Sequence, residues 1–432
     1  MYIYYTKKMC DILSLDANSK GRDTHILEPV LVYLEKKYKL QIIRASMLEG
    51  VKLILLKKPK MLLLPNNIGS PEHFRISKFA SKLKIKIVTL DSEGDYQEHA
   101  VESFFWGWNI EKKLYFDLKL LWSERAKKMI QNNIKNIDIK KIETSGGTGF
   151  DRYKLLKFKT KDEIGNEINK KLKKVVLVSG WRFDLFYSKK FSEKKVPLTE
   201  EDIKNKKFYI NSRIKLNKIL KEAIEKNKEI TFILKIHPVV DNLDKTEFEN
   251  LKNYKNVILL KNEIEINDLL NIADIIFAFE STTCLEGWLL NKRTILINPC
   301  GDKFARSIIS NGSPKCKNYE EVQKYINEYY LTGNIEEFEK LENLRKDIIK
   351  DVIGYDDGKN YIRAGEKIID ILNKKSNKKI QIDSFVIEEI IKYIVYRLKK
   401  CLGKSKSTWD YSEIEREEYI KLYKNVINYN ID

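Results

Sequence analysis

The sequence predicts an α/β protein with two parallel-sheet domains and a helical C-terminal tail. Short apolar runs recur along the chain, and amphipathic helical patterns separate most of them. Continuous apolar runs are typical of strands in a parallel sheet, because crossover helices bury both faces of such a sheet. The runs form two series, and 432 residues are enough for two or more domains. We therefore predict domains at residues 1–158 and 174–370, followed by a tail at residues 371–432.

In the N-terminal domain, apolar runs predict successive strands. They are Asp11–Asp16, Leu40–Arg44, Met61–Pro65, Ile85–Leu90, Leu118–Trp122 and Ile139–Thr144. Ligands of parallel sheets bind beyond the carboxyl ends of the strands. Arg22, in the loop after the first strand, is therefore a candidate acceptor or cleft residue.

Two carboxylates follow the strand Ile85–Leu90, within the sequence Asp91-Ser92-Glu93-Gly94. Loops at this end of a parallel sheet carry catalytic groups in many folds. Asp91 and Glu93 are therefore candidate catalytic residues. The alternative is an acidic turn that is simply solvated.

Two further segments of this domain each have two interpretations. The aromatic stretch Phe104–Trp108 suits either the wall of a sugar or base pocket or ordinary core packing. The loop Ser145–Gly149 lacks the lysine and spacing of a P-loop and the helix context of a dinucleotide-binding fingerprint. It predicts a close backbone approach to a ligand or a neighbouring domain, so Gly146 and Gly147 are candidate acceptor-side residues.

The second series of strands follows a charged stretch, Lys159–Lys173, which predicts a linker. Its first strand ends at Ser179 and Gly180, which we take as candidate donor-binding residues. A later apolar run ends at His237-Pro238. His237 is either a ligand-binding residue or a hydrogen-bonded core histidine, and Pro238 indicates only that the strand ends.

Three hydroxyl residues, Ser281, Thr282 and Thr283, separate the apolar run Ala273–Phe279 from the helical pattern Cys284–Leu290. Ser or Thr before a helix caps its free N–H groups. The same N–H groups and the helix dipole form an anion site that suits a phosphate. Both interpretations remain open from the sequence.

Composition narrows the class of protein. The formal net charge is +19 and the pI is near 9.3. This excess suits a solvated surface, and it is compatible with anionic membranes, nucleic acid or phosphorylated substrates. No nucleic-acid motif is found, so we expect no nucleic-acid partner. Five scattered cysteines argue against a disulfide framework or a zinc site and predict a reduced cytosolic protein without a metal.

The tail predicts an amphipathic helix. Apolar residues of Ile382–Leu398 have helical spacing, and the basic run Arg397–Lys406 follows. Such a helix suits peripheral binding to the inner face of the cytoplasmic membrane. A helix that packs against the core or a partner fits the same pattern. No apolar run reaches the roughly 20 residues that a membrane span requires.

The ordered motifs resemble those of a group of bacterial enzymes. Asp91–Gly94 resembles the acidic-acidic-Gly motif of bacterial sialyltransferases and Kdo transferases. His237-Pro238 is similar to their His-Pro motif, and Ser281–Thr283 is similar to their later Ser/Thr motif. The order also resembles bacterial surface carbohydrate biosynthesis proteins, which act in capsule and lipopolysaccharide synthesis. Two departures are Ser92 at the central acidic position and the lack of their Pro-Arg pair after Gly147.

The resemblance implies a metal-independent glycosyltransferase of the GT-B architecture, in which two Rossmann-like domains face each other across a cleft. It implies a CMP-linked acidic sugar as donor, a glycan or glycolipid as acceptor, and no other cofactor. His237 would bind the donor phosphate, Ser281–Thr283 the phosphate or the sugar carboxylate, and Glu286 the ribose. Asp91 or Glu93 would be the base that deprotonates the acceptor hydroxyl.

Three other functions fit the same motifs. The first is a polyol-phosphate transferase that uses CDP-glycerol. The second is a UDP-sugar epimerase, which needs no acceptor. The third is a catalytically inactive assembly protein that keeps the fold, and the departures at Ser92 and after Gly147 are the reason to consider it.

Overall fold

The computed structural model describes residues 10–181, 205–237, 248–302, 306–375, 380–403 and 411–427. The chain divides into two compact units. The N-terminal unit comprises Met1–Leu156 and Lys350–Asp432, and the central unit comprises Lys157–Ile349. Each unit contains a six-stranded sheet surrounded by helices, and the strand pairs are parallel. The predicted fold class, two Rossmann-like sheets with a helical C-terminal region, is confirmed.

The N-terminal sheet has the strand order β2-β1-β3-β4-β5-β6. Its strands are β1 (Ile12–Asp16), β2 (Ile42–Ser46), β3 (Met61–Leu64), β4 (Lys86–Leu90), β5 (Leu118–Leu121) and β6 (Ile142–Thr144). The helices that alternate with them are α1 (Arg22–Tyr38), α2 (Gly50–Lys57), α3 (Pro71–Lys82), α4 (Val101–Trp106), α5 (Glu124–Asn133) and α6 (Arg152–Leu155).

Alternate residues of these strands face two different apolar cores. In β3, Leu62 and Leu64 belong to one core, and Met61 and Leu63 belong to the other. Because successive side chains of a strand point to opposite faces, a continuous apolar run buries both faces of the sheet. Phe104–Trp106 of the aromatic stretch lie in α4, and Phe105 and Trp106 belong to the first core, as the core-packing interpretation expects. Phe104 and Trp108 of the same stretch are 45% and 40% exposed.

The central sheet has the strand order β12-β11-β10-β7-β8-β9. Its strands are β7 (Lys174–Ser179), β8 (Ile230–Lys235), β9 (Val257–Leu260), β10 (Ile275–Ala278), β11 (Arg293–Ile297) and β12 (Lys315–Cys316). The helices described in this unit are α7 (Lys161–Glu167), α8 (Lys206–Lys226), α9 (Ile266–Ile272), α10 (Thr283–Leu289), α11 (Tyr319–Thr332) and α12 (Glu336–Glu339).

The predicted linker before β7 contains α7 and packs within the central unit. Lys161 Nζ lies 2.7 Å from Asp274 Oδ1, just before β10. The backbone N–H of Lys159 donates to Asp268 Oδ1 at 3.0 Å. These two contacts attach the predicted linker to the surface of the central unit.

Four further helices are described after α12: α13 (Glu342–Ile353), α14 (Asn360–Asn373), α15 (Ser384–Cys401) and α16 (Glu413–Val426). Helix α14 packs on α1, where the rings of Tyr33 and Tyr361 lie 5.6 Å apart. Ala364 and Ile368 complete the apolar core beneath α1. Residues 350–370, which the sequence analysis assigned to the second domain, thus pack with the N-terminal sheet.

The described residues of the tail after Ile380 pack on the N-terminal unit as two helices. Helix α15 lies on α2 and α3, with Val386 buried in the core and Lys78 Nζ 4.4 Å from the centre of the Phe385 ring. Helix α16 lies on α1, where His25 Nδ1 is 2.8 Å from the Tyr423 hydroxyl. Among the helices of the described residues, none combines the length and apolar character needed to cross a bilayer.

Candidate functional site

Three hydroxyl groups meet at the carboxyl ends of β7 and β10. The Ser179 hydroxyl lies 3.2 Å from Thr283 Oγ1 and 3.3 Å from Ser281 Oγ. Ser281 Oγ and Thr283 Oγ1 are 2.7 Å apart, and Ser281 Oγ also accepts the Thr283 N–H at 3.1 Å. We call Ser179, Ser281 and Thr283 the hydroxyl cluster.

The strand order explains this meeting. From β7 the sheet adds β8 and β9 on one side, and β10, β11 and β12 on the other. The connections that leave β7 and β10 therefore run in opposite directions, and a crevice remains beyond the two carboxyl ends. Open α/β sheets bind ligands at this topological switch point. The hydroxyl cluster thus occupies the position where the central sheet is expected to bind a ligand.

Aromatic rings and one arginine hold the loops next to the cluster. The Trp181 indole packs against Tyr209 and Phe279, with ring centroids 4.9 and 5.2 Å away. Arg306 covers the Phe279 ring at 4.6 Å and donates to the Phe279 carbonyl at 2.6 Å and to Asn298 Oδ1 at 2.8 Å. Since Phe279 follows β10 and Asn298 follows β11, Arg306 ties the two strand ends together.

Other predicted donor-binding residues lie along the same edge. The Gly180 N–H donates to the Lys235 carbonyl at 2.8 Å, which extends the pairing of β7 with β8. His237 follows β8 by two residues and is partly exposed. Pro238 lies outside the described residues. The ligand-binding roles of these residues stay predictions.

The segment before α10 was predicted either to cap this helix or to bind an anion. Ser281 accepts a backbone N–H, as a capping residue does. Thr282 is the N-cap residue by position, and its side chain makes no capping bond. Glu286 lies within α10 and is 7% exposed. Phosphate binding by Ser281–Thr283 and ribose binding by Glu286 stay predictions.

In the N-terminal unit, Asp91 is buried in an ion pair. Its Oδ1 accepts Lys119 Nζ at 2.7 Å, and its Oδ2 accepts the Tyr96 hydroxyl at 2.6 Å. The side chains of Lys119 and Asp91 are only 1% and 5% exposed. Burial and the Asp91 carboxylate raise the pKa of Tyr96 well above its usual range. Because protein groups occupy both carboxylate oxygens, the geometry favours a structural role for Asp91 over the predicted role of a base.

Gly94, in the same motif, lies where a larger residue would clash. A Cβ on Gly94 would lie 2.1 Å from the Trp122 ring. The Trp122 Nε1–H donates to the Asp91 carbonyl at 2.6 Å, which fixes that ring against the loop. Any larger residue at Gly94 would displace the indole and its hydrogen bond to the Asp91 carbonyl.

Glu93 and Arg22 come together at the exposed part of the edge. They form an ion pair whose side chains are 51% and 44% exposed, respectively. Arg22 Nη1 also donates to the Ser92 carbonyl at 3.2 Å. Ser92 Oγ accepts from Asn66 Nδ2 at 3.1 Å, which links the loops after β3 and β4. Two site residues predicted from separate segments are therefore neighbours, and Glu93 is the more accessible carboxylate of its motif.

Asp23 is a carboxyl that the sequence analysis missed. It lies in the first turn of α1, next to Arg22. Burial and the nearby Asp16 and Glu93 carboxylates raise the pKa of Asp23 to about 7, against the opposing effect of Arg22 and Arg416. A carboxyl that titrates near neutral pH suits proton transfer. The available sequence signal was an acidic residue in the first helical turn after a strand that itself ends in an acid.

Five charged side chains form a buried charge network beside Asp23. Arg416 of α16 lies 2.8 Å from Asp16 Oδ2 and 2.6 Å from Glu28 Oε1. Arg44 of β2 lies 2.9 Å from Glu28 and 2.7 Å from Glu35. The Asp16, Glu28 and Arg416 side chains are at most 3% exposed. Helix α16 thus supplies a cation to the carboxyl end of β1, and no local sequence pattern indicates this contact.

These groups surround the switch point of the N-terminal sheet. Its strand order places β2 on one side of β1 and β3 to β6 on the other. The ligand position is therefore expected beyond the carboxyl ends of β1 and β3. Asp16 ends β1, Asp23 lies in the first turn of the following helix, and Asn66 follows β3. Within the described residues, no group of three or more His, Cys, Asp or Glu side chains is arranged to hold a metal ion.

The glycine-rich loop packs against its own unit. Gly146 has φ 85°, and a Cβ there would lie 1.9 Å from Asn360 Oδ1. The Gly147 N–H donates to the Ile353 carbonyl at 2.9 Å. Asp151 accepts the first two backbone N–H groups of α14 at 3.2 and 2.7 Å. The close approach predicted for Gly146 and Gly147 is therefore to the segment that leads into α14, while their role toward an acceptor stays a prediction.

No protein-family model matches the chain, and no curated protein matches it. Solved structures match its fold. A putative UDP-N-acetylglucosamine 2-epimerase from Listeria monocytogenes has a TM-score of 0.54 at 12% identity, over 87% of this chain and 100% of that chain. The UDP-GlcNAc 2-epimerase from Neisseria meningitidis bound to UDP-GlcNAc has a TM-score of 0.52 at 13% identity, over 84% and 100%. The wall teichoic acid polymerase TagF with CDPG has a TM-score of 0.53 at 14% identity, over 85% and 89%. At these identities the likeness establishes the fold.

Proposed function

We propose that the chain is an enzyme of carbohydrate metabolism whose central unit binds a nucleotide-activated sugar or polyol. The observation that carries the proposal is the hydroxyl cluster at the switch point between β7 and β10. Hydroxyl groups both donate and accept hydrogen bonds, so they can exchange their mutual bonds for bonds to phosphate oxygens. His237, at the end of the adjacent strand β8, adds a partly exposed donor on the same edge.

A UDP-linked sugar is the first candidate ligand, with epimerisation as the reaction. Support comes from the two UDP-GlcNAc 2-epimerases of the same fold, one of them bound to UDP-GlcNAc. A polyol-phosphate transferase is the second candidate, supported by the likeness to TagF with CDPG. A CMP-sugar transferase, which the motif resemblance implies, comes third because only the motifs support it.

Within the central unit, we assign the phosphate contacts to the hydroxyl cluster and to His237. Ser179 is central to this assignment because it is the member that β7 supplies, and its hydroxyl joins that strand to Ser281 and Thr283 beyond β10. Thr282 and Glu286 are secondary candidates. Thr282 is the N-cap residue of α10 without a side-chain capping bond, and Glu286 is largely buried.

Within the N-terminal unit, we assign proton transfer to Asp23. An epimerase needs a group that removes and returns a proton, and a transferase needs a base for the acceptor hydroxyl. A carboxyl with a pKa of about 7 fits either role. Glu93, held by Arg22, is the second candidate.

The test is a thermal-shift series on the full chain with UDP, UDP-GlcNAc, CDP-glycerol, CMP and CMP-sialic acid. A ligand that binds only the folded state raises the melting temperature, and at one hundred times Kd it stabilises by about 2.7 kcal/mol. We expect UDP-GlcNAc to raise the melting temperature and Ser179→Ala to reduce that shift by more than half. A response to CDP-glycerol alone would replace the first candidate with the second, and a response to the CMP ligands alone would favour the third.

Ser313→Ala is the matched control. It also removes a buried hydroxyl of the central unit, one that lies 2.6 Å from Thr294 Oγ1 and is not a member of the hydroxyl cluster. The control should keep the full ligand response. Equal losses in Ser179→Ala and Ser313→Ala would contradict the site, and no response to any nucleotide would favour the inactive assembly protein.

A further inference from the structure

One side of α15 is apolar and exposed. Six residues, 42–67% exposed, form this surface: Ile387, Ile391, Ile394, Val395, Leu398 and Leu402. Their spacing of mostly three or four residues places them on one side of the helix. We call them the apolar face of α15. Contiguous exposed apolar surface of this kind is uncommon on monomeric proteins and marks interaction sites.

The opposite side of α15 is fixed to the N-terminal unit. Val386 and Glu389 are buried, and Arg75 of α3 forms an ion pair with Glu389. Near the other end, Tyr393 and Arg397 contact Glu49 at 3.1 and 2.9 Å. These contacts set the rotation of the helix about its axis. The folding of this unit therefore accounts for one side of α15 and leaves the apolar face to another interaction.

Lysines lie along one border of the apolar face and at the C-terminal end of the helix. Lys392 is 48% exposed in its side chain, and Lys399 and Lys400 are exposed at the C-terminal end of the helix. The sequence continues with Lys404 and Lys406. Glu388, the acidic residue beside this face, is paired with Lys392. Apolar side chains next to lysines are the combination that binds the headgroup region of an anionic bilayer.

We propose that α15 binds the surface of an anionic lipid bilayer, with its apolar face among the lipid headgroups and its lysines against the phosphates. A second copy of the chain is a poorer occupant, because it presents the same lysines and brings no lipid phosphates to pair with them. The proposal does not depend on the proposed function, since α15 lies outside both switch points.

The first experiment is vesicle co-sedimentation of the full chain. The vesicles contain phosphatidylcholine alone or with about one third phosphatidylglycerol. We expect binding to the anionic vesicles, at least tenfold weaker binding to the neutral ones, and a strong decrease with added salt. Ile391→Ser/Leu398→Ser should weaken binding at least tenfold. The control Ile110→Ser/Leu331→Ser removes two residues that are 87% and 86% exposed elsewhere, and it should bind normally.

A charge reversal tests the lysines. Lys399→Glu/Lys400→Glu should weaken binding to anionic vesicles at least tenfold and leave the melting temperature unchanged. The control Lys340→Glu/Lys346→Glu makes the same change in net charge at side chains that are 68% and 66% exposed in other helices. Equal weakening in both variants would reduce the effect to net charge and overturn the proposal.

Two further outcomes would overturn it. One is that the unaltered chain fails to bind anionic vesicles. The other is that light scattering shows a dimer that Ile391→Ser/Leu398→Ser converts to a monomer, since the apolar face would then be an interface between two copies.

Discussion

The two sheets of this protein have different chemistry at corresponding positions. Beyond β1 and β3, the N-terminal sheet has buried charges, with Asp16 held by Arg416 and Asp23 beside them. Beyond β7 and β10, the central sheet has neutral hydroxyls, including Ser179 and Thr283. The switch point thus has buried ion pairs in the N-terminal unit and hydrogen bonds between neutral hydroxyls in the central unit.

The difference separates two ways of building a site. A buried charge is stable only when it is paired, so its position is fixed and its loss is costly. A hydroxyl that bonds to another hydroxyl contributes only about 1 kcal/mol and can turn toward a ligand. We infer that the N-terminal edge is ordered before a ligand binds, and that the central edge can rearrange its hydrogen bonds on binding.

The largest expected effect is on the charged edge. Arg416→Met leaves Asp16 and Glu28 buried without that cation, so the free energy of unfolding should fall by about 3–5 kcal/mol. Denaturant unfolding followed by fluorescence measures it. The control Arg397→Met removes a 41% exposed ion pair with Glu49 and should cost at most about 1 kcal/mol. If both variants lost the same free energy of unfolding, the buried ion pair of Arg416 would stabilise the fold no more than an exposed one, which would contradict the difference between the two edges.

The second effect concerns the Asp91 ion pair. Lys119→Met should lower the free energy of unfolding by about 3 kcal/mol, because it leaves the Asp91 carboxylate buried and unpaired. Adding Asp91→Asn should recover part of that loss, and a double-mutant cycle measures the coupling. If Lys119→Met were neutral and Asp91→Asn abolished turnover, Asp91 would be a base after all.

The third effect is a pH dependence from Asp23. Its pKa is about 7 in the folded chain, against about 3.9 for an ordinary aspartate. The folded state therefore binds the extra proton between these values, and the free energy of unfolding falls as the pH rises from about 4 to 7. Three pKa units correspond to about 4 kcal/mol. Because Asp23 is partly exposed and solvent screens its charge, we expect its contribution to the free energy of unfolding to be about 2 kcal/mol. Asp23→Asn should be more stable than the unaltered chain by this amount at pH 8 and equally stable at pH 4.

Asp383→Asn is the control for the sign. Lys82 lowers the pKa of the Asp383 carboxyl, so that ionised group stabilises the fold at neutral pH and loses this effect on acidification. Its replacement should therefore change the pH slope in the opposite direction, measured by unfolding at several pH values. A slope that Asp23→Asn leaves unchanged would contradict the neutral titration of Asp23.

The smallest effect is on the hydroxyl edge. Ser179→Ala should change the free energy of unfolding by at most about 1 kcal/mol, because Ser281 and Thr283 remain bonded to each other at 2.7 Å. Thermal unfolding without ligand measures this. A loss comparable to that of Arg416→Met would show that the hydroxyl cluster is as rigid as the charged edge.

Local patterns predicted the fold, and they predicted which residues follow the strands of the central sheet. The apolar run Met61–Leu64 buries both of its faces, so sequence alone indicates a strand in a parallel sheet. Ser179 and Ser281 were found because each follows such a run. Their mutual contact additionally requires the strand order, which the sequence leaves open.

The N-terminal edge was harder to predict because its contacts join distant segments. Asp91 follows a strand, as a catalytic carboxylate would, but Lys119 on the neighbouring strand β5 binds it inside the sheet. Asn360, distant in the sequence, fills the space beside Gly146. The tail helix was predicted from its periodicity, while the side that packs depends on residues such as Arg75 of α3.

The contact between Arg416 and Asp16 spans 400 residues and sets an order for folding on the ribosome. At about 5–20 residues per second, β1 waits some 20–80 s for the helix that neutralises its carboxyl end. The central unit is synthesised entirely within that interval. A nascent chain of this protein can therefore complete its second-made unit first, and the first-made unit closes only after α16 has left the ribosome.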